Sequence, residues 1–184
     1  MTAIQIRQLD AQGLYAHRDE LIEVYRDAYA DKIENQFFAE GRFWERLEAY
    51  AQRPGFGLVM AYDAGDDLVG YALGYPLPAD SRWWHGLLAD LDQELIAEDG
   101  TRTFALNYIM VRRDFRRRGV ARELHNALKR SRPERRMTLL VLPDNVAAVL
   151  AYRAWGWQRI GELQPFRDGP TYDAMILDLG GVGT

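Results

Sequence analysis

The apolar and polar positions of the first half of the chain change between strand-like and helix-like spacing. Residues 4–9 alternate apolar and polar, as a half-buried strand does. Residues 19–30 and 43–50 carry apolar side chains at helical spacing, which predicts two successive helices. Two apolar runs, 56–62 and 68–75, flank a short acidic segment that contains one glycine. That arrangement predicts a β-hairpin.

The second half continues the alternation of strands and helices. Thr103 to Val111 is apolar almost throughout, which predicts a central strand covered on both faces. The later predicted elements are a helix at 120–129, a strand at 137–142, a helix at 145–155, and strands at 158–163 and 172–179. Since neither a repeat nor a linker interrupts this order, we expect one α/β domain with a mixed sheet over residues 1–179 and a flexible tail at 180–184.

The segment between these halves is the hardest to interpret. Residues 80–100 carry spaced apolar side chains, which predict a helix whose other face is acidic. Its apolar members are Trp83, Trp84, Leu87, Leu88, Leu91 and Leu95.

The composition narrows the chemistry that the chain can perform. Hydrophobic residues make up 48% of the 184 residues, which is enough for a packed core. The chain has no cysteine, which excludes disulfides, thiolate zinc sites and a cysteine nucleophile, and its three histidines argue against a metal site. No apolar run approaches the roughly 18 residues of a membrane helix, and the N-terminus lacks the apolar centre of a secretory signal. We therefore expect a cytoplasmic protein without a metal or a membrane partner.

The net charge of −4 conceals two opposite regions. Residues 102–136 hold 12 Lys/Arg and 3 Asp/Glu, a balance of +9, and the remainder of the chain carries −13. A basic segment inside an acidic protein indicates a local anionic ligand or a solvated helix face. Nucleic acid is a poor candidate, because the acidic remainder repels phosphate chains and no aromatic residues interleave the basic ones.

The segment from Tyr108 to Ala121 carries most of the functional information. A buried strand leads into a loop of arginines, and Gly119 stands at the start of a predicted helix. Free N–H groups at a helix N-terminus bind anions, and a glycine lets a phosphate approach the backbone. The segment lacks the Gly-Lys-Ser/Thr of a phosphate-binding P-loop and two of the three glycines of a dinucleotide fingerprint. The residues therefore indicate an anion site of another kind.

This segment resembles the acyl-CoA motif of the GNAT superfamily of N-acetyltransferases, Arg/Gln-x-x-Gly-x-Gly/Ala. Here the motif is Arg116-x-x-Gly119-x-Ala121, five residues after Val111. The resemblance implies an α/β GNAT fold, with a mixed, mostly antiparallel sheet of about six or seven strands and about four or five helices. It further implies acetyl-CoA as co-substrate, with its pyrophosphate on the backbone N–H groups of Arg117, Arg118, Gly119, Val120 and Ala121. The strand end Ile109, Met110 and Val111 would hydrogen-bond the pantetheine.

A second segment resembles the same superfamily. Asn145-x-x-Ala148-x-x-x-Tyr152-x-x-x-Gly156-Trp157 is similar to its pattern Asn-x-x-Ala-x-x-x-Tyr-x-x-x-Gly-Phe, with Trp in place of Phe. Read without the resemblance, it is an amphipathic helix that ends at a glycine. The resemblance implies that Asn145 contacts the cofactor and that Tyr152 lies beside its sulfur. The implied reaction is direct attack of an amine on the thioester, with Tyr152 as the general acid.

A general base is harder to identify. Many relatives place a Glu on the motif strand where this chain has Ala105. Asn107, on the same strand, cannot take a proton but could orient the substrate or a water, and a purely structural role in the sheet is an equal alternative. His85, Asp80 and Glu34 are weaker candidates for the base. A missing strand carboxylate favours an acceptor amine of low pKa or a base reached through water.

The acceptor and the assembly stay open at this stage. The regions that form the acceptor pocket in this fold are rich in aromatic and acidic residues, among them Tyr75 and Asp31, which suits either a cationic acceptor or ordinary core and surface positions. We predict an acyl-CoA-dependent N-acyltransferase that acts on a small-molecule or peptide amine. The alternative is a catalytically inactive acyl-CoA-binding regulatory module. A homodimer is common in the superfamily, and no residue here decides it.

Overall fold

A computed structural model of the chain describes residues 4–88 and 90–180. The chain forms two compact units, each built from two separate segments. The first unit contains residues up to Tyr75 together with Asn107–Arg132, and the second contains Pro76–Leu106 and the chain from Pro133 onward. The predicted tail falls mostly on residues 181–184, which lie outside the described residues; Gly180 is described, and its N–H donates to Asp178 Oδ1 at 2.8 Å.

The described elements follow the predicted order closely. The strands are β1 (Gln5–Leu9), β2 (Gly57–Tyr62), β3 (Leu68–Pro76), β4 (Thr103–Val111), β5 (Arg136–Val141), β6 (Gln158–Leu163) and β7 (Tyr172–Asp178). The helices are α1 (Ala11–Ala16), α2 (Arg18–Ala28), α3 (Glu40–Ala51), α4 (Gln93–Ile96), α5 (Val120–Arg130) and α6 (Val146–Ala154). The short helix α1, begun by an Asp10 side chain that accepts from the Gly13 N–H at 3.1 Å, was not predicted.

The seven strands follow the order β1-β2-β3-β4-β5-β7-β6 and form a mixed sheet, as predicted. β2 is antiparallel to β1 and to β3, and β7 is antiparallel to β5 and to β6. β4 and β5 are parallel, with a register that runs from Thr103↔Arg136 to Leu106↔Leu139. A parallel pair requires a long connection, and α5 lies in the chain between these two strands.

The core of the first unit is rich in aromatic side chains. Tyr25 of α2, Phe43 of α3 and Tyr71 of β3 are fully buried, and the rings of Tyr25 and Phe43 stack with centroids 3.8 Å apart. Stacked aromatic pairs add to the stability that burial of their area provides. This core fixes α2 and α3 against one face of β3 and the second half of β4, since Met110 belongs to the same cluster.

The predicted helix over residues 80–100 is wrong. Among its described residues, the segment contains only a 3₁₀ helix at Trp83–Gly86 and the four-residue α4. A buried carboxylate explains the difference: Glu98 Oε1 accepts from Trp84 Nε1 at 3.0 Å and from Arg136 Nη2 at 2.9 Å. Both side chains of the ion pair are less than a tenth exposed. The segment therefore folds around a tertiary polar contact, which the spacing of its apolar residues does not reveal.

Candidate active site

The loop after β4 takes an unusual backbone conformation. A 3₁₀ turn at Arg113–Phe115 leads to Arg117 with φ +60° and to Gly119 with φ +85°. A non-glycine residue in the left-handed region is uncommon, and such residues cluster at ligand sites. Gly119 meets the same demand without strain, since it has no Cβ. The glycine at this position is therefore explained by the turn that it makes.

Helix α5 begins at this loop with free donors. Gly119 is its N-cap and has no side chain to cap it, and the first intrahelical bond joins the Glu123 N–H to the Gly119 carbonyl at 3.0 Å. Helix geometry therefore leaves the N–H groups of Val120 and Ala121 without carbonyl partners inside the helix. A Cβ placed at Gly119 would meet no protein atom within 4 Å, so the space beside the loop is open. Such a helix end binds anions.

Two of the five arginines in this loop form ion pairs within the chain. Arg112 pairs with Glu23 at 3.3 Å, and Arg113 pairs with Asp31 at 2.9 Å. The Arg113 N–H also donates to Asp27 Oδ2 at 2.6 Å. These carboxylates lie on α2 and in the turn after it. The sequence-based expectation of arginines divided between cofactor and solvent thus omitted a third role, which is to hold the loop in place.

Of the arginines predicted to bind the cofactor, Arg116 also makes internal contacts. Its Nε donates to the Val111 carbonyl and its Nη2 to the Ala28 carbonyl, both at 3.3 Å. Arg117 and Arg118 are exposed, and within the described part of the chain neither pairs with a carboxylate. Arg118 lies over the Phe115 ring at 5.3 Å. These two side chains keep their charge available to a ligand.

The strand end offers backbone groups more than side chains. Met110 and Val111 are buried, Ile109 is half-buried, and Met110 Sδ lies 3.4 Å from the Tyr71 hydroxyl in the core. Any contact from Met110 to a cofactor must therefore use its main chain. Ala105, on the same strand, is fully buried.

Asn107 carries an unsatisfied acceptor. Burial raises the pKa of Tyr75, whereas the charge of Arg53 and a hydrogen bond with the Asn107 side chain lower it. The Asn107 Oδ1 is buried and has no hydrogen-bond partner among the described residues. Buried polar atoms without partners are rare in proteins, so this oxygen is a candidate contact for a bound molecule.

A group of side chains beside Asn107 was largely missed by the sequence analysis. Arg46 of α3 donates from Nε to the Tyr108 hydroxyl at 3.0 Å, and Arg53 lies 5.8 Å from the centroid of the Tyr75 ring. Tyr50 links the two, with ring centroids 6.4 Å from Tyr108 and 5.3 Å from Tyr75. The helical spacing of positions 46, 50 and 53 was the available signal. We refer to Arg46, Tyr50, Arg53, Tyr75, Asn107 and Tyr108 as the Arg46 cluster.

In the second unit, Asn145 and Tyr152 occupy the two ends of α6. The Asn145 side chain caps the helix, accepting from the Ala148 N–H at 3.3 Å. At the other end the Trp157 N–H bonds the Tyr152 carbonyl at 3.0 Å and the Gly156 N–H bonds the Arg153 carbonyl at 3.1 Å. With Gly156 at φ +96°, these bonds form a Schellman motif, and the predicted glycine stop is confirmed.

The Schellman motif also holds the Tyr152 ring. Tyr152 and Trp157 pack with ring centroids 5.9 Å apart, which is the apolar contact that accompanies this motif, and Trp155 packs edge-on to Tyr152 at 5.6 Å. Burial raises the pKa of Tyr152 well above its usual value of about 10. The hydroxyl is therefore a stable donor and never a phenolate near neutral pH.

The remaining candidates for a base find less support. Glu34, Asp80 and His85 are all exposed. In the described part of the chain, no group of three His, Asp or Glu side chains could hold a metal ion. None of the helices described is long and apolar enough to cross a membrane.

Comparison with known proteins assigns the family. The sequence model of the acetyltransferase (GNAT) family matches residues 18–157, which include the loop after β4 and all of α6. The chain belongs to the GNAT acetyltransferase family. The predicted family is thereby confirmed, and with it an acetyltransferase activity of the general kind. No curated protein matches the chain significantly.

Solved structures agree with the GNAT fold. A GNAT acetyltransferase from Staphylococcus aureus Mu50 is 15% identical, with 96% of this chain and 99% of that chain covered and a TM-score of 0.67. The PaiA N-acetyltransferase from Thermoplasma acidophilum in complex with coenzyme A is 12% identical, with 96% of this chain and 99% of that chain covered and a TM-score of 0.59. The ribosomal-protein-S18-alanine N-acetyltransferase from Escherichia coli is 17% identical, with 98% of this chain and 97% of that chain covered and a TM-score of 0.63. At these identities the likeness shows the fold alone.

Proposed function

We propose that this GNAT protein transfers an acetyl group from acetyl-CoA to the primary amine of a small molecule. The observation that carries the proposal is the loop at Arg117–Gly119, whose two left-handed residues lead into the uncapped N-terminus of α5. This backbone suits a pyrophosphate, and the charges of Arg117 and Arg118 add to the attraction. The resemblance of the two motifs to the family's patterns supports the main chain of Ile109–Val111 as the holder of the pantetheine arm and Asn145 as a further cofactor contact.

The proposed reaction is a direct transfer. The amine nitrogen attacks the thioester carbonyl, a C–N bond forms, and the C–S bond breaks to release the CoA thiolate. The proton lost by the amine passes to solvent, since Ala105 replaces the strand carboxylate. The Tyr152 hydroxyl donates a hydrogen bond to the departing sulfur and keeps its proton, and the CoA thiolate then takes a proton from solvent. Because burial raises the pKa of Tyr152 above that of a thiol, its main contribution is stabilisation of the developing negative charge.

The test is the variant Tyr152→Phe, measured by thiol release from acetyl-CoA with a panel of amines. Loss of one hydrogen-bond donor to the developing charge reduces kcat by roughly 100- to 1,000-fold. The KM for acetyl-CoA stays near the wild-type value. The hydroxyl makes no hydrogen bond among the described residues, so the variant also keeps its melting temperature. Tyr15→Phe, whose ring is 45% exposed and packs edge-on to Trp44, is the matched control and keeps full activity.

The assay also separates the enzyme from the inactive regulatory module. An enzyme releases thiol with at least one amine, whereas a module binds acetyl-CoA and releases none. An unchanged kcat in Tyr152→Phe would remove this residue from the reaction. Thiol release that is independent of any amine would point to hydrolysis and contradict the proposed transfer.

A further inference from the structure

The Arg46 guanidinium is a half-buried cation without an anionic partner. It donates from Nε to the Tyr108 hydroxyl and from Nη1 to the Phe37 carbonyl at 3.3 Å, and it lies 5.2 Å from the centroid of the Phe37 ring. No described carboxylate pairs with it. The groups that raise its pKa against the effect of burial are tyrosines, chiefly Tyr108. Buried charges in proteins are normally paired, so this guanidinium retains donors for a bound anion.

The Arg46 cluster connects this cation to an unsatisfied acceptor. A continuous set of contacts runs from Arg46 through Tyr108, Tyr50 and Tyr75 to Asn107. Arg53, at the edge of the cluster over Tyr75, is a second cation that pairs with no described carboxylate. Most of these side chains are half-buried, so they pack against their neighbours and still have access to solvent.

The buried Oδ1 of Asn107 requires an N–H or O–H donor. A carboxamide oxygen accepts hydrogen bonds and has no proton to give, so an amine N–H is a suitable partner. The cluster thus presents a cation toward one part of a ligand and an acceptor toward another. A molecule with both a carboxylate and an amine satisfies the two together.

We propose that the acceptor of the acetyl group is a small amine that carries a carboxylate, with the carboxylate on Arg46 and the amine N–H on Asn107 Oδ1. The inference rests on the proposed function and names its substrate class. It replaces the sequence-based idea of an acidic pocket for a cation: Asp31, one of the acids considered, is engaged by Arg113. Tyr50 and Tyr75 supply flat apolar surface for the body of such a ligand.

The experiment compares amine pairs that differ only by a carboxylate: phenylalanine with phenethylamine, tyrosine with tyramine, and 4-aminobutyrate with propylamine. The wild-type protein is expected to acetylate a carboxylated member with a kcat/KM at least about tenfold above that of its partner, since charge-assisted hydrogen bonds carry the preference. Arg46→Met removes the preference and keeps the KM for acetyl-CoA. Arg46→Lys keeps part of it, because the charge remains without the planar fork. Asn107→Leu lowers kcat/KM for both members of a pair alike.

The control is Arg42→Met, which changes an arginine of the same helix one turn earlier, 5.1 Å from the centroid of the Phe37 ring. It is expected to leave the preference intact. Melting temperatures identify any variant that fails to fold. If Arg46→Met does not fold, the carboxylate preference of Arg46→Lys is compared with that of the wild type instead.

Calorimetric titration of the same amines into the protein with CoA bound tests the inference without turnover. Binding of the carboxylated members that weakens about tenfold in Arg46→Met supports the inference, even where no amine is acetylated, in which case only the proposed function falls. Turnover without preference for the carboxylate overturns the inference and leaves the function standing. Failure of the carboxylated members both to bind and to react also overturns it.

Discussion

The buried ion pair of Glu98 and Arg136 offers the sharpest test of how the second unit is held together. Glu98 Oε1 accepts three hydrogen bonds, from Trp84 Nε1 at 3.0 Å, from Thr103 Oγ1 at 2.9 Å and from Arg136 Nη2 at 2.9 Å. Arg136 also donates from Nε to Thr103 Oγ1 at 2.7 Å. The side chains are 3% and 8% exposed, so neither charge is hydrated. Glu98→Gln keeps the shape, removes the negative charge and leaves the guanidinium unpaired.

The expected loss of unfolding free energy follows from this geometry. Removing one partner of a buried pair costs about 3–5 kcal/mol, and Glu98→Gln falls near the lower end because its amide oxygen still accepts hydrogen bonds. For a chain of this size that corresponds to a fall in Tm of roughly 6–20 °C. Burial lowers the pKa of Arg136, and Glu98 opposes that shift. Loss of the Glu98 charge therefore makes the charged form of the buried guanidinium less favourable still. Urea titration followed by circular dichroism measures the effect.

Two comparisons make the result decisive. The exposed pair of Arg26 and Glu40 has the shorter separation of 2.7 Å, yet its side chains are 56% and 36% exposed. Solvent screens this pair, so Glu40→Gln is expected to change the unfolding free energy far less than Glu98→Gln. The double variant Glu98→Leu with Arg136→Met removes both buried charges and is expected to recover most of the stability. A loss under about 1 kcal/mol in Glu98→Gln, or a double variant no more stable than the single one, would refute the reasoning.

Three further predictions concern single positions. Gly119→Ala places an L-residue at φ +85°, which costs about 1–2 kcal/mol, and calorimetry is expected to show weaker acetyl-CoA binding; an unchanged Kd would contradict the role of the loop. Gly156→Ala strains the Schellman motif at φ +96° and lowers the unfolding free energy by about 1 kcal/mol, whereas Gly156→Asn costs less, as denaturant titration can test. Burial lowers the pKa of His125 in the folded state, so stability falls as the pH drops below the ordinary histidine pKa of about 6.5; His125→Gln flattens that dependence, and parallel curves would exclude His125 as its source.

The elements around the cofactor loop could be predicted because their causes are local. The continuous apolar run of β4, the glycine at the start of α5 and the glycine after α6 each act within a few residues of the structure that they determine. The same holds for the end of β4 at Val111 and for the capping of α6 by Asn145. Local causes leave local patterns, and these were sufficient to identify the family.

The errors arose where distant residues decide the structure. The segment 80–100 has the spacing of a helix, but Glu98 lies outside any helix, where its carboxylate pairs with the buried Arg136. The contacts of Arg112 and Arg113 with α2 join residues more than 80 positions apart, and no pattern in the sequence connects them. The unsatisfied oxygen of Asn107 likewise follows from its neighbours in space, so the sequence left its role undecided.

The pairing of the loop arginines with α2 has a consequence for how mutations in this protein are interpreted. Glu23, Asp27 and Asp31 lie far along the chain from the acyl-CoA motif and belong to no motif themselves. Their neutralisation frees Arg112 and Arg113 and loosens the backbone that presents the N–H donors of α5. A saturation mutagenesis screen for acetyl transfer would then mark these three acids as sensitive sites. Charge reversal of Arg113 combined with reversal of Asp31 would restore activity in such a screen, as genuine loop supports do and substrate ligands do not.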